Sequence, residues 1–128
     1  MIWQYVFIKD YDWRLIVLYN ANLDLAATAD ALWHTRCPSH IAVKAIREMF
    51  TRRISGFCYT NDDIKTTLIC IAETDPNEDF INTVAHEIKH LQSHICSYYG
   101  IDETSEEAAY LIGNITEELY RVFKYELE

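Results

Sequence analysis

The sequence predicts a single α+β domain over residues 1–128, in which a small, mostly antiparallel sheet packs against several helices. Runs rich in β-branched and aromatic residues occur near the N-terminus and again in the middle of the chain, and segments with helical apolar spacing separate and follow them. Half of the 128 residues are apolar and 13% are aromatic, as in folded globular proteins. This length supports one hydrophobic core and leaves little room for a second domain.

The first two strands are predicted to form a β-hairpin. Residues Trp3 to Ile8 and Trp13 to Tyr19 have the β-branched and aromatic composition of strands, and a short polar turn separates them. A loop follows, in which Asp24 is a candidate helix cap. The alanine-rich stretch from Leu25 to His34 is then predicted to be a helix, which Cys37-Pro38 would end.

The middle of the chain predicts a second helix and two more strands. Ser39 is a suitable N-cap for a helix from His40 to Arg52, whose apolar residues recur at helical spacing. Short strands are predicted from Phe57 to Thr60 and from Thr66 to Glu73. Because both faces of the second of these strands are largely apolar, we expect it to be well covered.

A long helix is predicted from Pro76 to Tyr99. Asp75 can cap its start, Pro76 suits the first helical position, and Gly100 suits a left-handed C-terminal cap. An apolar stripe along it would face the core, formed by Phe80, Val84, Ile88, Leu91 and Ile95.

This helix carries the sequence His86-Glu87-Ile88-Lys89-His90. Residues four apart lie on the same helix face, so His86 and His90 can both direct a ring nitrogen to one metal ion, and two imidazoles suit Zn²⁺. Glu87 is close enough to take a proton from a metal-bound water, which is the chemistry of the H-E-x-x-H motif of zinc peptidases. The alternative is a solvated helix that carries two histidines by chance.

A third metal ligand is expected from the next helix, because a catalytic zinc site has three protein ligands and one open position. Glu106 and Glu107 are the candidates. Thr104 and Glu107 fit a capping box, which gives Glu107 a local structural role. Glu106 shares a helix face with Tyr110, whose hydroxyl would support the reaction, and we therefore favour Glu106 as the ligand and Tyr110 as a catalytic residue.

Together, the motif and the later run Glu-Glu-Ala-Ala-Tyr-Leu-Ile-Gly resemble the gluzincin branch of the zincin metallopeptidases. They also resemble small uncharacterised metallopeptidases of phages and prophage-bearing bacteria, in which a Glu-x-x-Ala-Tyr-Leu-x-Gly pattern follows the motif. The resemblance covers about Thr66 to Ile115. It implies a minimal zincin fold, with a small sheet beside the motif helix and a second helix that delivers Glu106. The larger gluzincins build their substrate pockets from a further domain, which we do not expect here.

The function predicted on these grounds is zinc-dependent hydrolysis of a peptide or protein substrate, with Glu87 as general base. The strand just before the motif helix is expected to pair with the substrate backbone. The alternative function is a binding or regulatory module of phage or prophage origin that is stabilised by metal and does not turn over. His94 lies about 12 Å from His86 along the helix axis, so it is expected at the cleft edge or on the surface rather than on the same ion.

Charge and cysteine usage exclude some other classes. A net charge of −9 argues against nucleic-acid binding, and no apolar run is long enough for a membrane span. The N-terminus has no secretory pattern, so we expect a cytoplasmic protein with reduced thiols. His34, Cys37 and His40 are expected to be ordinary loop residues rather than a second metal site. The oligomeric state stays open, although the aromatic hairpin presents a sheet edge for pairing.

Overall fold

A computed structural model of the chain describes residues 2–127 and confirms the α+β class. The predicted hairpin, the later pair of strands and the four predicted helices are all present, with ends that differ from the expected ones by a few residues. In chain order the main elements are β1 (Ile2–Ile8), β2 (Trp13–Tyr19), α1 (Leu25–His34), α2 (Ser39–Phe50), β3 (Gly56–Asn61), β4 (Thr66–Ile71), α3 (Asn77–Tyr99) and α4 (Glu106–Phe123).

The four strands form one sheet in the order β1-β2-β4-β3. β1 pairs antiparallel with β2, and β3 pairs antiparallel with β4, whereas β2 and β4 run parallel to each other. Two of the three strand pairs are therefore antiparallel, as expected, and the parallel pair lies at the centre. β1 and β3 form the two edges.

Helices cover both faces of the sheet. Because successive side chains of a strand point to opposite faces, alternate residues of β2 and β4 enter two separate cores. One core packs the sheet against α3 and α4 and includes Leu15, Val17, Ile69 and Leu91. The other packs it against α1 and α2 and includes Leu18, Leu68, Leu32 and Met49. The strand that was expected to begin at Thr66 is β4. It is buried along its whole length, in agreement with the apolar residues on both of its faces.

Helix starts follow the sequence only in part. Asp24 caps α1 as expected, since its carboxylate accepts a hydrogen bond from the Ala27 amide at 3.0 Å. Asp75 is not the N-cap of α3, because the helix begins at Asn77 and its N-cap is Pro76, which was expected at the first helical position. The expected capping box at Thr104 is also wrong, because the N-cap of α4 is Ser105, whose hydroxyl accepts a hydrogen bond from the Ala108 amide.

None of the helices between residues 2 and 127 has both the length and the apolar character that crossing a membrane requires. The four cysteines are all unpaired, with Cys70 and Cys96 buried and Cys37 and Cys58 partly buried.

Candidate metal centre

His86 and His90 lie one turn apart on the exposed side of α3. Their Nε2 atoms are 3.1 Å apart, and their ring centroids are 4.7 Å apart at an angle of 73°. Two nitrogens bound tetrahedrally to one zinc at about 2.0–2.1 Å lie about 3.3 Å apart, so the spacing of the rings suits a shared ion. A hydrogen bond between two neutral rings gives a similar distance, and the spacing alone does not select the metal.

Glu87 lies in the same turn of α3, but its side chain points toward the sheet and is only 4% exposed. Its Oε1 lies 4.0 Å from Nε2 of His86, and its buried Oε2 has no hydrogen-bond partner among the described residues. Burial raises the pKa of the Glu87 carboxyl to about 7, because the ionised form loses its hydration. A buried carboxylate oxygen without a partner is unusual in a folded protein and favours the arrival of a cation or a proton.

The close approach of β3 causes this burial. Gly56 begins the strand, and a Cβ atom at that position would stand 3.4 Å from Glu87 Cγ and 2.8 Å from Thr83 Cγ2. The absence of a side chain at residue 56 therefore lets the strand close over Glu87. In the part of the chain that the structure describes, the group that could hold a metal consists of His86, Glu87 and His90, whose ligand atoms lie within 4.8 Å of one another.

Glu106 and Tyr110 are not brought to this group. Glu106 is the first residue of α4, and the face that this helix buries is formed by Ala108, Leu111 and Ile115. Glu106 lies two residues before Ala108, so its direction around the helix axis differs from that of Ala108 by about 160°, and its side chain is exposed. Tyr110 is 68% exposed and lines a cleft between β1 and α4. This arrangement gives no support to Glu106 as third ligand or to Tyr110 as a catalytic residue.

Glu107 is engaged elsewhere. Its carboxylate accepts a hydrogen bond of 2.9 Å from the Tyr11 hydroxyl, at the end of the same cleft. Glu107 does not have the capping role expected of it, since the N-cap of α4 is Ser105. The alternative ligand considered from the sequence therefore also lies outside the group.

Glu103 is the acidic residue of the α3–α4 loop that reaches the motif helix, and the sequence reasoning missed it. Its Oε2 lies 3.1 Å from Lys89 Nζ and 3.2 Å from Ser93 Oγ, both on the turns that flank His90. These contacts hold the pKa of the Glu103 carboxyl below its usual range. No spacing in the sequence marks this residue, because its position depends on the path of the loop after Gly100.

His94 lies beyond His90, with the two ring centroids 6.4 Å apart. Its Nδ1 is 2.6 Å from Thr60 Oγ1, which is 2.7 Å from Thr67 Oγ1, and the Trp13 indole donates to Thr67 at 2.9 Å. Burial and the neighbouring His90 lower the pKa of His94. The ring is anchored to β3 and lies outside the candidate metal group, as its distance along the helix predicts.

The residues considered for a second metal site do not form one within residues 2–127. His34 lies 3.4 Å from Asp30, one helical turn earlier, and the Cys37 thiol donates to its neighbour's carbonyl, that of Pro38.

No protein-family model, curated protein or solved structure matches the chain. The resemblance to gluzincins therefore continues to depend on the motif residues alone, and it stays a prediction.

Proposed function

We propose that this protein is a zinc-dependent peptide hydrolase in which His86 and His90 hold the metal and Glu87 is the general base. The observation that carries the proposal is the buried, unpartnered carboxylate oxygen of Glu87 beside two imidazoles whose Nε2 atoms are 3.1 Å apart. When bound, Zn²⁺ would supply Lewis-acid chemistry and lower the pKa of a coordinated water to about 7.

Glu87 is suited to receive a proton from a water at this position. Burial raises the pKa of its carboxyl to about 7 in the metal-free protein, and a bound cation would lower this pKa and favour the ionised form that accepts a proton. β3 packs beside the Glu87 side chain at Gly56, so the side chain is already buried in the absence of substrate. The same carboxyl group, once protonated, can donate the proton to the leaving amine.

A peptide fits the proposal because an unpaired strand edge runs beside α3. The strand expected to bind substrate was β4, but β4 pairs on both sides and cannot accept a further strand. Among residues 2–127, no strand pairs with the outer side of β3, and β3 contacts α3 through Cys58 and Thr60, which approach His94. An extended substrate backbone would add to the sheet at β3 rather than at β4.

A second candidate function is a module that binds metal without turnover. The specific observation in its favour is that the group comprises two histidines and Glu87, while Glu106, Glu107 and Tyr110 lie elsewhere. In that case Glu87 would act as the third ligand and would not be free to act as a base.

One experiment separates the two functions. Zinc content and cleavage of a denatured protein substrate are measured for the parent protein and for Glu87→Gln. Hydrolysis by the parent, lost in Glu87→Gln with zinc retained, supports the hydrolase. Zinc bound by the parent without hydrolysis, and lost from Glu87→Gln, supports the metal-stabilised module. No zinc in either protein after reconstitution rejects both.

A further inference from the structure

β1 is an edge strand with few of the features that prevent strand pairing. Its sequence from Ile2 to Ile8 contains no charged residue and no proline, although the chain as a whole has a net charge of −9. Native edge strands are usually shielded by charges, prolines, bulges or a covering element. Among residues 2–127, no strand pairs with the outer side of β1.

The hydrogen bonds of β2 show which β1 groups are free. The Arg14 amide donates to the Lys65 carbonyl, so Arg14 and the alternate residues of β2 point toward β4. The intervening residues of β2 then point toward β1, where they lie opposite Ile8, Val6, Gln4 and Ile2. The N–H and C=O groups of Trp3, Tyr5 and Phe7 therefore point away from the sheet.

The side chains of these same three residues form an aromatic row on one face of β1. Trp3 and Tyr5 stack with their ring centroids 6.0 Å apart, and the Arg14 guanidinium lies 5.6 Å from the centroid of Phe7. Tyr5 is 71% exposed and Phe7 is 55% exposed. The row is thus an apolar surface directly above the free backbone groups.

Open grooves run along both faces of this edge. On the α4 side, a cleft of about 600 Å³ is lined by β1 together with Tyr110 and Asn114. On the other side, a second groove of about 680 Å³ is lined by β1 together with Arg14, Ile16 and His34. A strand that paired with β1 would therefore have space for side chains above and below the sheet.

The occupant that fits this edge is a second copy of β1. The three outward-facing residues, Trp3, Tyr5 and Phe7, are evenly spaced about Tyr5. An antiparallel copy would therefore place Tyr5 opposite the partner's Tyr5 and Trp3 opposite the partner's Phe7. Each such pair exchanges two backbone hydrogen bonds, and each brings two aromatic side chains together. Because β1 has no charged residue, the negative charges of two acidic chains would not face each other within the paired strands.

We propose that two copies of this chain associate through antiparallel pairing of their β1 strands, centred on Tyr5, to form one continuous eight-stranded sheet. The interface is isologous, which is the usual symmetry of a homodimer. It lies at the opposite edge of the sheet from β3, and it does not depend on metal binding or hydrolysis.

The test combines oligomeric mass with residue-level hydrogen exchange on the full chain. In sedimentation equilibrium, we expect the mass to rise with concentration from 15.0 kDa toward twice that value. In the same samples, the amides of Trp3, Tyr5 and Phe7 should become protected as the dimer forms, while the amides of Gln4 and Val6 should be protected at all concentrations. A protein that stays monomeric, or a dimer in which the three outward amides exchange freely, would overturn the proposal.

A matched pair of variants completes the test. Tyr5→Lys places two like charges directly opposite each other and should weaken the dimer by about tenfold or more. Tyr125→Lys makes the same change at a tyrosine that is 76% exposed and lines neither of the two grooves beside the β1 edge, and it should leave the dimer unchanged. Equal dissociation constants for the two variants would contradict the assignment of β1 as the interface. Both substitutions are at exposed side chains, and circular dichroism checks that each variant folds.

Discussion

Gly56 lies beside the Glu87 side chain at the interface between β3 and α3. A Cβ atom on Gly56 would stand 3.4 Å from Glu87 Cγ, 3.0 Å from the Cys70 carbonyl oxygen and 2.8 Å from Thr83 Cγ2. The last two distances are shorter than ordinary carbon contacts, and the Cys70 oxygen belongs to a central strand that cannot move away easily. The burial of the candidate general base therefore depends on a glycine in the neighbouring strand.

Substitution of Gly56 by alanine should lower the free energy of unfolding by about 1–3 kcal/mol, the usual cost of overpacking a tight interface. The reason is steric, because the added methyl group meets Thr83 and the Cys70 backbone. Chemical denaturation measures the effect. Gly113→Ala is the matched control: nothing lies within 4 Å of its Cβ position, and it lies in the interior of α4. This change should stabilise the protein by about 0.5–1 kcal/mol. Equal effects of the two substitutions would contradict the packing described for β3.

Glu87 should make the metal-free protein less stable as pH rises. In the unfolded chain its carboxyl ionises near pH 4.5, whereas in the folded chain it keeps its proton up to about pH 7. Between these two values the folded state binds more protons, so stability falls with increasing pH, by about 3 kcal/mol from this group.

The comparison with Glu87→Gln isolates this contribution from other titrating groups. In the presence of a chelator, the difference in unfolding free energy between Glu87→Gln and the parent should grow in favour of the variant from pH 4.5 to about pH 7 and then level off. A constant difference across this pH range would mean that Glu87 is not buried as described.

Metal binding should depend on both motif histidines. We expect zinc content, measured by elemental mass spectrometry on tag-free protein, to fall to background in His86→Ala and in His90→Ala, because each removes half of the imidazole pair. His40→Ala removes an exposed histidine of α2 and should retain zinc. Glu106→Ala should also retain zinc, since its side chain points away from α3. Loss of zinc from Glu106→Ala would restore the ligand role that the sequence resemblance gives to Glu106.

Thr67 should contribute to the stability of the fold through a buried hydrogen bond. Trp13 Nε1–H can only donate, and it donates to Thr67 Oγ1, which is fully buried and 2.7 Å from Thr60 Oγ1. Thr67→Val would leave the indole N–H buried without an acceptor and should cost about 1–3 kcal/mol in unfolding free energy. Thr116→Val, at an exposed position on α4, is the control and should have an effect within about 0.5 kcal/mol. A similar loss in both variants would argue against the buried hydrogen-bond chain.

Composition and periodicity were sufficient to predict most of the elements. The strand from Thr66 was predicted as buried because both of its faces are apolar, and its place at the centre of the sheet agrees. Its parallel pairing with β2 was not predictable, since register and direction depend on contacts between residues far apart in the sequence. That pairing makes β3 an edge strand and moves the expected substrate position from β4 to β3.

The site was predictable only where its residues lie within one helix. His86, Glu87 and His90 come together because four residues make about one helical turn. Glu106 and Tyr110 required the rotation of a second helix, which a short motif does not determine. The spacing of Ala108, Leu111, Ile115 and Leu119 does indicate that rotation, and it would have predicted an outward-facing Glu106.

The central pairing of β2 with β4 has a consequence for how the chain folds. Arg14 lies opposite Thr66, so the middle of the sheet forms only after a long intervening segment, with α1, α2 and β3, has been brought back across it. Contacts between distant parts of the sequence slow folding, because the loop must close before the pairing stabilises it. The N-terminal hairpin, synthesised first, has to remain unaggregated until β4 becomes available. Its uncharged outer edge is exposed throughout that interval.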